Sequence, residues 1–506
     1  MNRLFVLLSL LLSGIAYADV NVYVSPSGSD SNDCTSAATA CQTINHTIRR
    51  LPQLTLDNTY INLDVGNFYS PAFASDGGSP TAMDAKGLID LEGYNIAGTG
   101  SVNFVGSTQQ INPAGLVMGA TDAGALGGGT PYDGWVLVAI DGGWGNYAID
   151  AGYAYLDAGG YTDGGGTGTL IANSLVGTFI SFTAGPNAGM IAPIVSNTKD
   201  TISYVPHSIA WGTAAPAPTA ASKFNIFANA SHLYPYPVDA GAATGYTLST
   251  VYVGGNAADA APNGVFPSTN MATQIFAIDP QITFNYIDFA DGPQSASANF
   301  EIVSNYGPSL VSFRYSDMET SATGVEAVST YEGRSEIAAC YLAAQGEAIY
   351  GRGGAVDILG SVLTGSVSVN SEISTYKTRV NSYNNVILPA AGTIAVQAQE
   401  QSTVTLASTF IDGNNTTQRA IKMEDNSSCH LGSVFWISDG GAGLVSCGAF
   451  GNIRIGTANV PDAGGNLISL NDGLTWTTGT AYTGNADGGA INTKCDTTVG
   501  CCWANY

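Results

Sequence analysis

The chain has 506 residues, of which 15 are Lys or Arg and 39 are Asp or Glu, so its formal net charge is −24. Only 11% of the residues are charged, whereas 45% are hydrophobic and 63 are Gly. This composition excludes a coiled coil and a charge-driven disordered protein. The acidity excludes general nucleic-acid binding, which needs clustered Lys and Arg. The composition is typical of a Gly-rich, all-β secreted protein.

The first 18 residues have the parts of a secretory signal peptide. Arg3 gives the positive start, an apolar run covers residues 4–12, and Ala-Tyr-Ala at 16–18 forms a cleavage site before Asp19. We therefore expect export, with the protein secreted or held at the cell surface. Because the rest of the chain contains no run of about 18 apolar residues, no membrane span is predicted.

Residues 19–165 are expected to form an N-terminal cap and the first turns of a solenoid. A strand at 20–24, a turn-rich loop, a short helix at 44–51 and a second strand at 60–65 follow each other. This order resembles the start of right-handed parallel β-helix proteins of the pectin-lyase-like superfamily, where these elements cap the open end. Cys34 stands where Gly is usual and Cys41 is an addition, which suggests a disulfide variant of the cap.

Aromatic residues are concentrated among Gly and Asp at 132–165. Rings beside hydroxyl-binding groups suit the faces of sugars, so the sequence predicts Trp135, Trp144, Tyr153 and Tyr155 as substrate-binding residues. The alternative is that Tyr153 and Tyr155 simply cover a hairpin.

Residues 166–229 differ in character from the segments on either side. Strand-like runs at 175–185, 187–197, 201–206 and 223–227 resemble a small β-barrel-like module, known as an insertion in phage structural proteins and in β-helix proteins. Gly185 and Gly189 are expected to supply its turns. We interpret the module as an insertion from one solenoid turn, with a separate binding function as the alternative.

Residues 230–480 carry the repeats of a β-helix. Short β-rich runs recur every 21–29 residues with period-2 alternation, which is the pattern of a solenoid with inward side chains stacked in ladders. One equivalent position is predicted for Ile287, Ser316, Cys340, Ser361, Ser382, Ser408, Ser433 and Thr457. The predicted fold is an all-β, right-handed parallel β-helix, and a β-sandwich is the competing fold.

Charged residues cluster between 301 and 380, where the basic ones recur at close to the repeat spacing. A lyase needs a base and cations beside a uronate carboxylate, and a hydrolase needs two carboxylates about 5–10 Å apart. Rungs about 4.8 Å apart meet that spacing. The alternative is a solvated face of paired charges. The predicted catalytic residues are Arg334, Arg352, Glu319, Glu336 and Asp357, with Arg314 in substrate binding.

The cysteines and a polar loop add further expectations. We expect Cys34–Cys41 and Cys429–Cys447 disulfides, the second across one solenoid turn, and a buried, free Cys340. A cystine-bearing tail at 481–506 is expected to cap the C-terminal end. Calcium is the one cofactor considered, at the aspartates of the 29–33 loop, although a turn-forming role is favoured there.

Sequence motifs leave open whether the protein is an enzyme. Gly-x-Ser-x-Gly, His-Glu-x-x-His, P-loop and polygalacturonase motifs do not occur. The leading hypothesis is an exported β-helix protein that binds an extracellular polysaccharide along its side face. If it also cleaves that chain, it is a polysaccharide lyase or a glycoside hydrolase. The alternative is a non-enzymatic adhesin or a tailspike-like receptor-binding surface protein, assembled as a homotrimer.

Overall fold

A computed structural model gives the fold of the chain in the parts that it describes. These are residues 19–51, 54–55, 57–69, 95–96, 100–111, 155–157, 173–197, 201–205, 223–234, 251–253, 281–290, 301–306, 310–319, 326–331, 333–370, 378–389, 394–407, 409–412, 419–425, 427–431, 434–437, 443–447, 452–455, 457–459, 466–469, 477–478, 482–483, 493–495 and 502–505. The predicted signal peptide lies outside them. No helix in the described ranges is long and apolar enough to cross a membrane.

The protein is a parallel β-helix, which confirms the predicted all-β fold. The chain passes through three sheets in turn, and each strand pairs in parallel with the equivalent strand of the neighbouring turn. The first sheet, for example, stacks Val356, Val380, Val404 and Cys429 in one ladder.

The three sheets take up most of the described strands. The first sheet contains Val20–Val24, Thr59–Leu63, Ser101–Val105, Gln281–Asn285, Leu310–Arg314, Arg334–Ala338, Ala355–Leu359, Arg379–Tyr383, Thr403–Ala407, Ser428–Leu431, Asn452–Ile455, Cys502–Asn505 and Thr493–Cys495. The second contains Gly66–Tyr69, Ser231–Tyr234, Ile287–Ala290, Asp317–Glu319, Val386–Leu388, Thr409–Asp412, Val434–Ile437, Thr457–Asn459 and Tyr482–Thr483. The third contains Val251–Val253, Glu301–Tyr306, Glu326–Tyr331, Val396–Ala398, Arg419–Met423, Gly443–Cys447, Asn466–Ser469 and Thr477–Thr478. Two long strands, Tyr341–Arg352 and Val362–Asn370, run from the second sheet into the third.

Alternating side chains fill the interior. On the first sheet, residues such as Val311 and Phe313 point inward and are fully buried. Phe284 stacks on Phe104 at 4.9 Å and on Phe313 at 5.4 Å between ring centroids. Aromatic ladders of this kind fix the register, because a one-residue slip would turn every buried ring to solvent.

The N-terminal cap is formed by two short helices and one disulfide. A 3-10 helix covers Ala37–Thr39 and an α-helix covers Ile44–Arg50, with Thr43 as its N-cap. Cys34 and Cys41 are bonded, with Cα atoms 5.0 Å apart, which confirms the predicted pairing. The inner face of the helix joins the solenoid core, so the cap covers the open end of the first sheet.

The corner between the first and second sheets contains a repeated left-handed residue. The residues with positive φ at this point are Tyr286, Tyr315, Ala339, Gly360 and Asn384. The next position is buried and polar in several turns, and its side chain accepts a backbone N–H from the turn before. Ser361 Oγ accepts from Cys340 at 3.1 Å, and Asn385 Oδ1 accepts from Ser361 at 2.7 Å.

The predicted ladder is therefore wrong from Ser382 onwards, and Thr457 is also one residue out of register, because the aligned residues are Thr409, Val434 and Ala458. Ser361 is followed in the next turn by Asn385, whereas Ser382 stacks between Ile358 and Leu406 in the first sheet. The left-handed corner residue separates the ladder of Ser361 from that of Ser382. The alignment of the sequence repeats did not allow for this corner residue, so it merged the two ladders. Ser408 and Ser433 lie outside the described residues.

The second predicted disulfide is also wrong. Cys429 is a free, buried thiol, because its side chain points into the core between Val404 and Ile453 of the neighbouring turns. Cys340 is free and buried as predicted. Burial raises the pKa of both thiols to about 12, so neither is a nucleophile at neutral pH.

A separate antiparallel sheet is inserted between two turns of the solenoid. Its six strands are Thr108–Gln110, Tyr155–Asp157, Phe179–Ala184, Ile191–Asn197, Thr201–Tyr204 and Lys223–Asn229. Four of them lie within the predicted module 166–229, and two precede it. The sheet has its own core, around Ile180, Phe182 and Tyr204. We call this unit the insert.

Two further pairings complete the described structure. Leu54–Thr55 pairs with Asn95–Ile96. At the C-terminal end, short antiparallel strands close each sheet: Thr493–Cys495, Tyr482–Thr483 and Thr477–Thr478. An antiparallel strand ends the parallel stack, which limits further strand addition at this end.

Candidate functional site

The outer face of the first sheet carries charge pairs on neighbouring rungs. Arg334 reaches Asp357 Oδ2 with Nε at 2.9 Å and Nη2 at 2.8 Å, and Asn381 Nδ2 donates to Asp357 Oδ1 at 2.7 Å. The Asp357 side chain is only 5% exposed. Its charge is thus satisfied by a bidentate arginine and an amide.

A second pair lies one rung away on the same face. Arg314 Nη2 is 3.3 Å from Glu336 Oε1, and Arg314 is about half exposed. Four of the six charged residues predicted for the site therefore share one face, as alternating cross-rung pairs. We call the pairs Arg334–Asp357 and Arg314–Glu336 the paired face.

The two other predicted charged residues lie elsewhere. Arg352 ends a strand of the third sheet, where it pairs with Tyr331 and Asn370. Glu319 lies on the second sheet beside the insert, since a Cβ built on Gly177 would be 3.1 Å from Glu319 Oε1. The structure does not bring these two to the paired face.

The predicted aromatic residues are mostly outside the described part of the chain. Trp135, Trp144 and Tyr153 belong to undescribed segments. Tyr155 begins a strand of the insert, where its backbone pairs with Ser203. Their role in binding stays a prediction.

The second sheet carries a different column of outward-facing residues. His232, Asp288 and Asp317 are directly aligned on three neighbouring rungs. His232 Nδ1 contacts Asp288 Oδ2 in a short hydrogen bond, and a side-chain hydrogen bond joins Asp288 to Asp317. We call these three residues the acid column. It is open to solvent at His232, whose side chain is 34% exposed.

The electrostatics of the acid column differ from those of an ordinary ion pair. Desolvation raises the pKa of Asp317 well above its usual range, and the neighbouring charge of Asp288 raises it further. The hydrogen bond to Asp288 raises the pKa of His232. The raised pKa values of Asp317 and His232 both favour bound protons in this column.

The same column continues as an apolar strip under the insert. After Asp317 the aligned residues are Tyr341, Val362, Val386 and Phe410. They pack against Val195 and Val205 of the insert. The insert therefore covers the apolar part of this face and ends next to the acid column.

One residue of the insert reaches the carboxyl pair. Asn229 Nδ2 donates to Asp317 Oδ1 at 2.5 Å and to the Tyr315 carbonyl at 2.9 Å. Asn229 is 5% exposed. The insert thus contributes directly to this site.

Two tyrosines form a ring stack at the corner between the paired face and the acid column. The centroids of Tyr286 and Tyr315 are 5.1 Å apart with an interplanar angle of 19°. Both rings are partly exposed. Phe227 of the insert meets Tyr286 edge-on at 6.1 Å. One turn before Tyr286, the equivalent corner residue is Gly106. A Cβ at Gly106 would lie 2.1 Å from the Tyr286 carbonyl oxygen, so no larger residue fits there.

The N-terminal loop considered for calcium is held by protein donors. Asp30 accepts hydrogen bonds from the backbone of Gln42 and Thr43 and from the Thr43 hydroxyl, each at 2.9 Å. Asp30, Cys41 and His46 have ligand atoms within 4.8 Å of one another, but the Cys41 sulfur is bonded to Cys34. This arrangement agrees with a turn-forming role for Asp30.

Sequence reasoning missed the acid column and the tyrosine stack. A usable signal existed, because His232, Asp288 and Asp317 each follow a buried residue, namely Ser231, Ile287 and Ser316. Asn229 had no such signal, since its contact depends on how the insert packs on the solenoid.

Comparisons with known proteins find similarity to solved structures alone. No protein-family model and no curated protein matches it. Among solved structures it is similar to a glycoside hydrolase, at 10% identity and a TM-score of 0.25, with 89% of this chain and 94% of the other covered. It is similar to XylC in complex with xylose, at 12% identity and a TM-score of 0.34, over 88% and 71%. It is also similar to the Gp54 tailspike of Acinetobacter baumannii bacteriophage AP22 in complex with capsular saccharide, at 10% identity and a TM-score of 0.25, over 92% and 68%.

Proposed function

We propose that this protein binds an extracellular polysaccharide along the side of the solenoid, at the corner between the first and second sheets. The observation that carries the proposal is the stack of Tyr286 on Tyr315, two partly exposed rings on neighbouring rungs. Sugar rings have apolar faces and hydroxyl edges, which suit aromatic rings flanked by hydrogen-bonding groups.

Hydrogen-bonding groups flank the tyrosines on both sides. Arg314 precedes Tyr315 on the first sheet, and Asp317 follows it on the second. The arginine is suited to a uronate carboxylate, and the carboxyl groups to hydroxyls. Because the rungs repeat about every 4.8 Å, this surface extends along the solenoid and suits a linear chain.

We propose that the paired face lines this surface without taking part in chemistry. Arg334 and Asp357 compensate each other's charge, as do Arg314 and Glu336. In this proposal the first-sheet residues orient the ligand, and proton transfer takes place on the second sheet.

Glycoside hydrolysis is the second candidate function, and the acid column favours it. A carboxyl with a raised pKa beside a second carboxyl is the arrangement that a general acid needs. Asp317 is the candidate acid. Glu319 is the candidate base, since it follows two residues later on the same exposed face, about 6.6 Å along the strand. An inverting hydrolase needs its two carboxyl groups about 6.5–9.5 Å apart, which two side chains on one face at this backbone spacing can reach.

A panel of neutral and uronate-containing polysaccharides tests both proposals. We expect binding by isothermal titration calorimetry that is weakened by Tyr315→Ala, together with reducing-sugar release that Asp317→Asn abolishes. Absorbance of unsaturated uronate would indicate a lyase instead. Absence of binding to every member of the panel would contradict the proposed function.

Binding without cleavage would favour the adhesin or receptor-binding alternative. In that case sedimentation analysis should also detect a trimer, which the alternative includes. Export is part of the proposal in either case, and N-terminal sequencing of secreted protein should begin at Asp19.

A further inference from the structure

A four-residue segment supplies a hydrogen-bond donor to each carboxyl of the acid column. Asn229 is the last residue of the insert strand Lys223–Asn229, and His232 lies in the solenoid strand Ser231–Tyr234. Asn229 contacts Asp317, and His232 contacts Asp288. The point where the chain leaves the insert therefore faces both carboxyls.

The orientation of the Asn229 amide follows from the chemistry of its partners. The Tyr315 carbonyl can only accept a hydrogen bond, so the amide nitrogen must face it, at 2.9 Å. The same nitrogen lies 2.5 Å from Asp317 Oδ1. Within the described part of the chain, the amide oxygen of Asn229 is buried and has no partner. A flipped amide would place this oxygen against two acceptors.

This orientation determines which oxygen of Asp317 can carry a proton. Asp317 Oδ1 accepts from Asn229, so it cannot also hold a proton on that side. Asp288 Oδ2 is engaged by His232 Nδ1. Asp317 Oδ2 and Asp288 Oδ1 have no other partner among the described hydrogen bonds, so they are the oxygens best placed for the hydrogen bond between the two carboxyls.

We propose that Asn229 is a positioning residue that fixes the shared proton on Asp317 Oδ2, facing Asp288. The location of the proton rests on the hydrogen bonds alone. Its catalytic consequence rests on the proposed hydrolysis, in which Asp317 would pass this proton to the leaving oxygen. The insert would then act as part of the site in addition to packing on the solenoid.

Several other groups influence the pKa of Asp317, and a test of Asn229 has to leave them unchanged. Glu319 lies on its own strand, and Tyr341 and Cys340 lie on the next turn. The charged or titratable groups that face or influence it are Asp288, His232, Glu319, Tyr341, Cys340 and Arg314. Substituting Asn229 leaves all of them in place.

The test is an infrared pH titration of the Asp317 carboxyl, without any polysaccharide. Each protein is measured as a difference against the same protein carrying Asp317→Asn, which isolates one carboxyl band. Because Asn229 donates to the ionised form, Asn229→Ala should raise the titration midpoint by about one pH unit, a tenfold gain in proton affinity. Asn229→Ser retains one donor and should give a smaller shift in the same direction, which keeps the proposal testable if the alanine variant does not fold.

The matched control is Asn225→Ala, on the same strand, where Asn225 contacts Gln110 inside the insert. Its midpoint should equal that of the unmodified protein. A midpoint that stays or falls in both Asn229 variants, or that rises equally in Asn225→Ala, would overturn the proposal. Failure to cleave any polysaccharide would contradict hydrolysis and leave this titration result standing.

Discussion

The paired face and the acid column use the same residue types on neighbouring rungs, with opposite consequences. On the first sheet Glu336 is aligned with Asp357, but each of these carboxylates also forms an ion pair, with Arg314 and Arg334 respectively. On the second sheet Asp317 is aligned with Asp288, and no arginine contacts either carboxyl among the described hydrogen bonds and ion pairs. A parallel β-helix can therefore place opposite charges together to strengthen a face, or like charges together to hold a proton.

The sign of the neighbouring charge therefore affects the pKa of a carboxyl more than the local density of charge does. The paired face has more charged residues, yet the two charges within each ion pair neutralise each other. The acid column has fewer, but desolvation and like charge raise the pKa of Asp317. Groups with displaced pKa values are the stronger candidates for chemistry.

The largest expected effect is on hydrolysis. Asp317→Asn removes the proton donor and should lower the rate of reducing-sugar release at least about 100-fold, as loss of a general acid does. Asp357→Asn, its counterpart on the paired face, should change the rate less than about threefold. Equal losses in the two variants would show that the distinction between the two faces is wrong.

The next effect is on stability and separates the two ion pairs. Arg334→Ala leaves the enclosed Asp357 carboxylate with only Asn381 as a partner, and should lower the free energy of unfolding by about 1–3 kcal/mol. Arg314→Ala removes a solvent-exposed pair and should cost less than about 1 kcal/mol. Urea denaturation measures both, and the reverse order would contradict the burial argument.

Polysaccharide binding should respond to the ring stack. Tyr315→Ala removes one of two stacked rings and should weaken binding about tenfold, close to 1.4 kcal/mol. Tyr350→Ala, on the third sheet and away from this corner, is the matched control and should bind nearly normally. Calorimetry with the best member of the panel compares them, and unchanged affinity in Tyr315→Ala would exclude the corner as the binding site.

The smallest effect is a change in how stability depends on pH. A carboxyl with a raised pKa binds more protons in the folded state, so its contribution to stability falls as pH rises from about 3.9 through the raised pKa of Asp317. The contribution of His232 to stability also falls as pH rises, in a second pH range. It is complete below about pH 6.5 and lost above the raised pKa of His232.

Two variants separate these windows. Asp317→Asn should flatten the first decline and His232→Gln the second, each by at most about 1.4 kcal/mol per pH unit. Unfolding free energies measured from pH 4 to pH 9 give the slopes. A steeper decline in either variant than in the unmodified protein would contradict the assigned pKa direction.

The sequence predicted the solenoid because its signals are local. Period-2 alternation and a repeat of 20–30 residues need no knowledge of distant contacts, and they identified most strands of the second half. The register could not be obtained in the same way. The left-handed residues at the corners, such as Gly360 and Asn384, change which residues stack. Cys429 shows a similar limit, because its spacing from Cys447 suggested a bond whereas alternation placed it in the core.

Only the first-sheet part of the candidate site could be predicted from the sequence. Arg334 and Glu336 lie on one rung and Asp357 on the next, close in sequence, so their grouping on one face could be anticipated. His232 and Asp288 are 56 residues apart. Asn229 reaches Asp317 only because the insert packs on the second sheet through Val195 and Val205. A contact of that kind depends on tertiary packing and leaves no periodic signal.

The central claim is that the raised pKa of Asp317 keeps a proton on the acid column. Infrared difference spectra at pH 6, where ordinary carboxyls are ionised, test it directly. We expect a protonated-carboxyl band in the spectrum of the unmodified protein. This band should disappear in Asp317→Asn and persist in Asp357→Asn. A spectrum without this band, or one in which Asp357→Asn removes it, would contradict the account.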